Sequence, residues 1–128
     1  MPRTRRARML GRMDDFVLQE PHAGVGGEHV IDVRVPPGLK TLNGHFPGDP
    51  IVPGVSQVLL VERGARLVWP DLGEPSAMVR LKFMQTLRPG DELSLDLKRE
   101  QETDVRFRIL RKGTDEECSR GVLRFTAN

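Results

Sequence analysis

The chain has 128 residues, 38% hydrophobic and 30% charged, with five Phe, one Trp and no Tyr, enough for one domain with a buried core. Its mean hydropathy is −0.40, and no apolar run approaches the ~18 residues of a membrane span, so no membrane partner is expected. One cysteine, Cys118, argues against a disulfide framework or a thiolate metal cluster and reads as an ordinary strand residue. The pI near 9.1 originates at one end. Residues 1–13 hold Arg3, Arg5, Arg6, Arg8 and Arg12 and no acid, leaving 15 of the 20 basic residues against all 18 acids. A basic arm on a mildly acidic body lacks the basic face and aromatic platforms of a nucleic-acid binder, and no nucleic-acid partner is expected. Residues 1–13 read as a flexible arm, either simply solvated or attracting an acidic partner, and residues 14–128 as a single domain. The arm has no apolar stretch of the kind a secretory signal needs, which points to the cytoplasm.

Residues 14–20 fit a short strand or a helical turn, and residues 21–27 a glycine-supplied loop. Residues 28–35 alternate, with His29, Ile31, Val33 and Val35 on one side, as a half-buried strand does. From Asn43 to Gly54 the chain is rich in Pro and Gly, with Pro47, Pro50 and Pro53 three apart. Three prolines of fixed φ make a stiff connector that positions any side chain within it. Pro53 stands where a helix begins, and residues 55–69 are apolar along Val55, Val58, Leu59, Ala65 and Trp69, with Leu60, Val61, Leu67 and Val68 beside them. So wide an apolar surface predicts a helix largely surrounded by protein. Pro70 ends it.

Strands follow over residues 77–84, 92–99, 105–111 and 118–126. Leu93, Leu95 and Leu97 share one face, as do Val105, Phe107 and Ile109. Turns fall at Arg88-Pro89-Gly90-Asp91 and Lys112-Gly113-Thr114-Asp115. The pattern gives an α+β plan: an antiparallel sheet of about five strands wrapped around one long central helix.

The run Gly44-His45-Phe46-Pro47-Gly48-Asp49-Pro50-Ile51-Val52-Pro53-Gly54-Val55 resembles the loop of the 3-hydroxyacyl-carrier-protein dehydratases, which are hot-dog-fold enzymes. Leu81-Lys82-Phe83 followed by Arg88-Pro89-Gly90-Asp91 is similar to that family's sheet segment. The resemblance covers roughly residues 28–126. Gln57 and Ser119-Arg120-Gly121 look closest to a dehydratase-like branch associated with aryl-polyene pigments.

The resemblance implies dehydration of 3-hydroxyacyl thioesters carried on acyl carrier protein or coenzyme A, in fatty-acid-like or polyene lipid synthesis, with no cofactor and no metal. That chemistry requires a base, an acid for the departing hydroxyl and a donor for the charge on the thioester oxygen. By resemblance His45 is the base. The donor is the backbone N–H of Gly54, where the helix opens. Phe46, Ile51, Val52 and Phe83 are candidate lining residues for the substrate, each equally readable as core. His22 and His29 have no metal-ligand spacing.

One position departs from the family. Its helix carboxylate, supplied across a dimer interface, corresponds here to Leu59, which cannot transfer a proton. Glu62 lies three residues on, on the same stripe, and is either a displaced acid or the ion-pair partner of Arg66. An active dehydratase therefore competes with a catalytically degenerate thioester-binding protein or the non-catalytic subunit of a heteromeric dehydratase. A hot-dog thioesterase, with Asp49 as the only loop acid, ranks third. A homodimer or higher oligomer is expected.

Overall fold

A computed structural model describes residues 16–37 and 51–127. The basic arm and most of the proline-rich connector, including His45, Phe46 and Asp49, lie outside the described residues. The elements run β1 (Val17–Leu18), β2 (His22–Ala23), β3 (His29–Arg34), α1 (Gly54–Val68), β4 (Pro75–Phe83), β5 (Glu92–Glu100), β6 (Asp104–Arg111) and β7 (Glu117–Phe125). The strands form one sheet in the order β1-β3-β5-β6-β7-β4, with β2 also on β3. Every pairing is antiparallel. The expected α+β plan is present, and the expected five strands are its long ones. Two short strands add to them: residues 17–18 resolve the strand-or-turn choice as strand, and residues 21–27 are not wholly loop. His22 and Ala23 pair with Val30 and His29 before a 3-10 turn at Val25–Gly27, in which Gly26 and Gly27 take φ of 67° and 80°, values that favour glycine.

The period-2 patterns place the core. Ile31, Leu93, Leu95, Leu97, Val105 and Ile109 are fully buried on the sheet face that meets the helix. Burying each such side chain contributes about 1.5–3 kcal/mol. The other face carries the charged partners of the same alternation, among them Asp96, Arg106 and Arg108.

The helix meets the sheet on part of its predicted apolar surface, along Leu60, Val61 and Ala65, extended by small and polar residues. Ser56, Gln57, Leu60, Val61, Gly64 and Ala65 are buried, whereas Val55 and Leu67 are 68% and 53% exposed. Close approach explains the choice. A Cβ on Gly64 would stand 2.6 Å from Leu95 Cδ2 and 3.3 Å from Ile31 Cδ1, so small residues let the helix backbone lie near the sheet. The helix is thus largely covered within one protomer, as expected, with Val55 and Leu67 left as its exposed apolar positions.

Both helix ends follow from proline. Pro53 is the N-cap, at φ −64° and ψ 155°, one position before the first helical residue. At the other end Trp69 N–H donates to Ala65 O at 2.7 Å and Pro70 cannot continue the ladder. Arg66 braces this end. Its guanidinium donates to Leu72 O (3.1 Å), Gly73 O (2.8 Å) and Glu62 Oε2 (3.1 Å) and lies 5.5 Å from the Phe125 ring centroid.

Candidate functional site at the head of the helix

The segment entering α1 is held by backbone pairing. Val52 N–H donates to Leu87 O at 2.7 Å, and both side chains are buried. Val52 therefore sits in the core, with Ile51 half-buried before it. Two residues on, Gly54 begins the helix. Ser56 and Gln57 N–H both donate to Pro53 O, but proline offers no side-chain cap and the first turn contains no acid. Among the described residues the N–H groups of Gly54 and Val55 find no acceptor. They are two of the donors every helix start leaves over, at the positive end of the helix dipole.

Phe83 closes one side of this end. A Cβ on Gly54 would meet the Phe83 ring at 2.8 and 3.0 Å, so the ring lies directly over the glycine. Gly54 is no turn glycine; what requires it is the ring. Phe83 is 49% exposed, and Met84 (41%) and Val55 (68%) continue an open apolar patch around it. Two predicted site residues, Gly54 and Phe83, are thus brought into contact.

Glu62 is not brought to them. It lies eight residues along the helix, about 12 Å at 1.5 Å per residue, and its carboxylate is engaged by Arg66, which also holds two backbone carbonyls. This arrangement corresponds to the ion-pair alternative of the sequence. Leu59 is half-buried. His29 packs edge-on against Trp69, with ring centroids 5.2 Å apart, and His22 Nε2 approaches Asp32 Oδ1 at 4.0 Å. Among the described residues no three His, Cys, Asp or Glu side chains cluster as a metal site would, and no helix is long and apolar enough to cross a membrane. Cys118 is fully buried, and burial pushes its thiol up while Arg111 pulls it down less strongly.

Among the described residues, two buried polar atoms have no partner: Gln57 Oε1, one turn into the helix, and Ser119 Oγ on β7. Ser119 is paired with Phe83 on one side and Ile109 on the other, which places it on the helix-facing side of the sheet. Such groups are costly and uncommon. Sequence reasoning gave Ser119 no chemical role. Its signal was available, since Ser119 shares its face with Gly121, Leu123 and Phe125 as a polar residue on an otherwise apolar row.

The profile of the ApeI-like family, described as ApeI dehydratase, matches residues 22–122. The chain is 34% identical over 92 residues, 65% of its length, to the bifunctional enzyme LpxC/FabZ of Porphyromonas gingivalis, of which it covers 20%. It is 40% identical over 79 residues, 48% of its length, to the 3-hydroxyacyl-[acyl-carrier-protein] dehydratase FabZ of Syntrophobacter fumaroxidans, of which it covers 52%. The chain thus spans between a fifth and about half the length of these two relatives. Among solved structures it is similar to the dehydratase heterocomplex ApeI:P from Xenorhabdus doucetiae, with TM-score 0.72 and 27% identity, covering 87% of this chain and 97% of that one. The antiparallel sheet and the long helix packed on it are those of the hot-dog fold, and the chain belongs to the ApeI-like family of hot-dog dehydratases.

Proposed function

We propose that this protein dehydrates 3-hydroxyacyl thioesters carried on acyl carrier protein, in the cytoplasm, with His45 as base and the Gly54 N–H as donor to the thioester oxygen. The observation that carries this reading is the uncapped head of the helix. Two N–H groups without acceptors among the described residues, at the positive end of a 15-residue helix, suit an oxygen that gains charge as the neighbouring C–H bond breaks. His45 stands nine residues before Gly54 in the chain. Ile51 and Phe83 are proposed to line the acyl path. Val52 serves it from the core, and Phe46 belongs to the same loop as the base.

A homodimer fits the exposed features. Among the described residues the edge strand β4 pairs only with β7, and the exposed apolar residues Phe83 and Met84 stand at its end, with Val55 exposed at the head of the helix. Patches of this kind mark interaction surfaces.

A second reading makes the chain one half of a heteromeric dehydratase, the partner supplying the acid. Leu59 at the family's acid position and the engagement of Glu62 by Arg66 favour it, and the similar solved structure is itself a heterocomplex. Incubating the purified chain with a 3-hydroxyacyl N-acetylcysteamine thioester and following the unsaturated product separates the two. Product from the chain alone supports the first reading. Product only after adding an acid-bearing dehydratase subunit supports the second, and thioester binding without turnover in either case defeats both.

Gln57 gives a further expectation. Gln57→Leu removes a buried polar group whose acceptor has no partner, so thermal stability should stay the same or rise. If the amide serves the substrate, turnover falls about tenfold in the same variant. Thermal melts and steady-state kinetics on one preparation read both.

A further inference from the structure

Five residues on neighbouring strands stand side by side across the helix-facing side of the sheet: Phe83, Ser119, Ile109, Leu95 and Ile31. The helix runs along this row. At one end the Phe83 ring lies over Gly54, and at the other a Cβ on Gly64 would meet Leu95 and Ile31. The two spans agree. Gly54 to Gly64 covers about 15 Å at 1.5 Å per residue, and β4 to β5 is three strand spacings, about 14 Å at 4.8 Å each. Ser119, one strand in from Phe83, therefore lies under the helix about 4.8 Å along from Gly54. Three residues of helix cover about 4.5 Å, which brings Gln57 over it.

These two residues carry the orphaned buried oxygens, Gln57 Oε1 and Ser119 Oγ. Gln57 is 5% exposed and Ser119 is fully buried. Strand register and helix rise thus bring together two atoms that each lack a partner. They do not bond each other, so both remain open to a third group. Their neighbours in the row, Phe83 and Ile109, offer no hydrogen bond. A core that served packing alone would gain nothing from two such atoms, since each costs stability in the free protein.

We infer that Gln57 and Ser119 form a binding site for one hydroxyl group, the 3-hydroxyl of the acyl chain. The inference rests on the proposed reading that the chain acts on 3-hydroxyacyl thioesters, and it names what holds the departing group. Chemistry selects this occupant. An amide oxygen only accepts, whereas a serine hydroxyl both donates and accepts. The group between them must donate to the first and can accept from the second, as a hydroxyl does. A carboxylate has no proton to donate, and an ammonium would bring an unpaired charge into apolar surroundings. Position agrees with chemistry. With the thioester oxygen at the Gly54 N–H, the 3-hydroxyl is two carbons further on, a reach comparable with the strand spacing from Phe83 to Ser119. Phe83, 49% exposed, stands at the open end by which the chain enters. Leu59 offers the hydroxyl no hydrogen bond, and these two atoms supply one. In the free protein a water suits the same place, and the substrate hydroxyl displaces it.

The test is a nuclear magnetic resonance titration of the full chain with two amides, in which nitrogen replaces the sulfur of an N-acetylcysteamine thioester. One carries a 3-hydroxyhexanoyl chain and the other a plain hexanoyl chain. The amide makes the C2–H less acidic, so the first binds without reacting. Wild type should bind the hydroxylated amide about tenfold more tightly than the plain one. Ser119→Ala and Gln57→Leu should each lose most of this preference while binding the plain amide as wild type does. Neither should melt lower, because each removes a buried polar atom without a partner. A purely structural role would instead move both affinities together. Equal affinity of wild type for the two amides, no binding of either, or full preference retained in either variant would overturn the proposal. So would a crystal structure of the complex with water between Gln57 and Ser119 and the hydroxyl elsewhere. The site and the reaction fail separately. Preference without unsaturated product from the thioester removes the reaction and keeps the site, and turnover without preference does the reverse.

Discussion

Replacing His45 by alanine is expected to lower kcat/KM for a 3-hydroxyacyl thioester by about 10²–10⁴-fold, the usual contribution of a positioned general base. Proton removal next to a thioester carbonyl needs a base that is unprotonated near neutrality yet basic enough to take the proton. An imidazole, whose ordinary pKa is about 6.5, meets both conditions. The rate of wild type should therefore rise with pH as the base loses its proton, and the variant should lose that dependence. Two further substitutions locate the acid. Leu59→Glu places a carboxylate where the resemblance to the family expects one and should raise turnover if the site lacks only that group. Glu62→Gln breaks the pair with Arg66 at 3.1 Å. Because Arg66 retains Leu72 O and Gly73 O, the fold should persist, and unchanged turnover would assign Glu62 to structure. Wild type and His45→Ala equally inactive on several acyl chain lengths, with and without an acid-bearing partner, would remove the assignment of His45 as base.

How far the sequence could be read depended on which interaction decided each feature. Strand faces follow alternation, and the inward rows of β5 and β6 emerged residue for residue, because one buried face fixes register. Helix ends followed from Pro53 and Pro70. The buried face of the helix was legible only in part: Leu60, Val61 and Ala65 belonged to the apolar surface and are buried, but so did the exposed Val55 and Leu67, while packing distance set Gly64 under Leu95. The β5–β6 turn carried no turn signature either. Gln101 and Glu102 take φ of 52° and 64° without a glycine, held by Arg99 Nε–H donating to Glu102 O at 2.7 Å. For the site, the motif led to Gly54 and Phe83 separately. Their contact depends on β4 crossing to the far edge of the sheet, which no local pattern encodes. Glu62 was weighed between two roles because it lies three residues from Leu59 and four from Arg66, and both spacings make helical neighbours.

Removing the donor at the head of the helix should cost about as much as removing the base, and Gly54 permits a clean experiment. Alanine at this position keeps the N–H but places a methyl group 2.8 Å from the Phe83 ring. A fall in activity of Gly54→Ala alone would therefore mix steric and electronic causes. Phe83 is 49% exposed, so Phe83→Ala empties that space at modest cost to the core, and both substitutions at 54 can be made in that background. Proline at the first helical position is tolerated, since its missing N–H has no helical partner there. The preceding residue already has ψ 155°, the extended conformation that a following proline demands. Phe83→Ala/Gly54→Ala and Phe83→Ala/Gly54→Pro should thus melt alike while differing in one N–H. If that N–H stabilises the thioester oxygen in the transition state, kcat of the proline variant falls about 10²–10³-fold below the alanine variant. KM changes little, because the donor acts on charge that develops only during reaction. Equal kcat in the two would show that Gly54 is there for the ring of Phe83, and the oxyanion donor would have to be sought elsewhere.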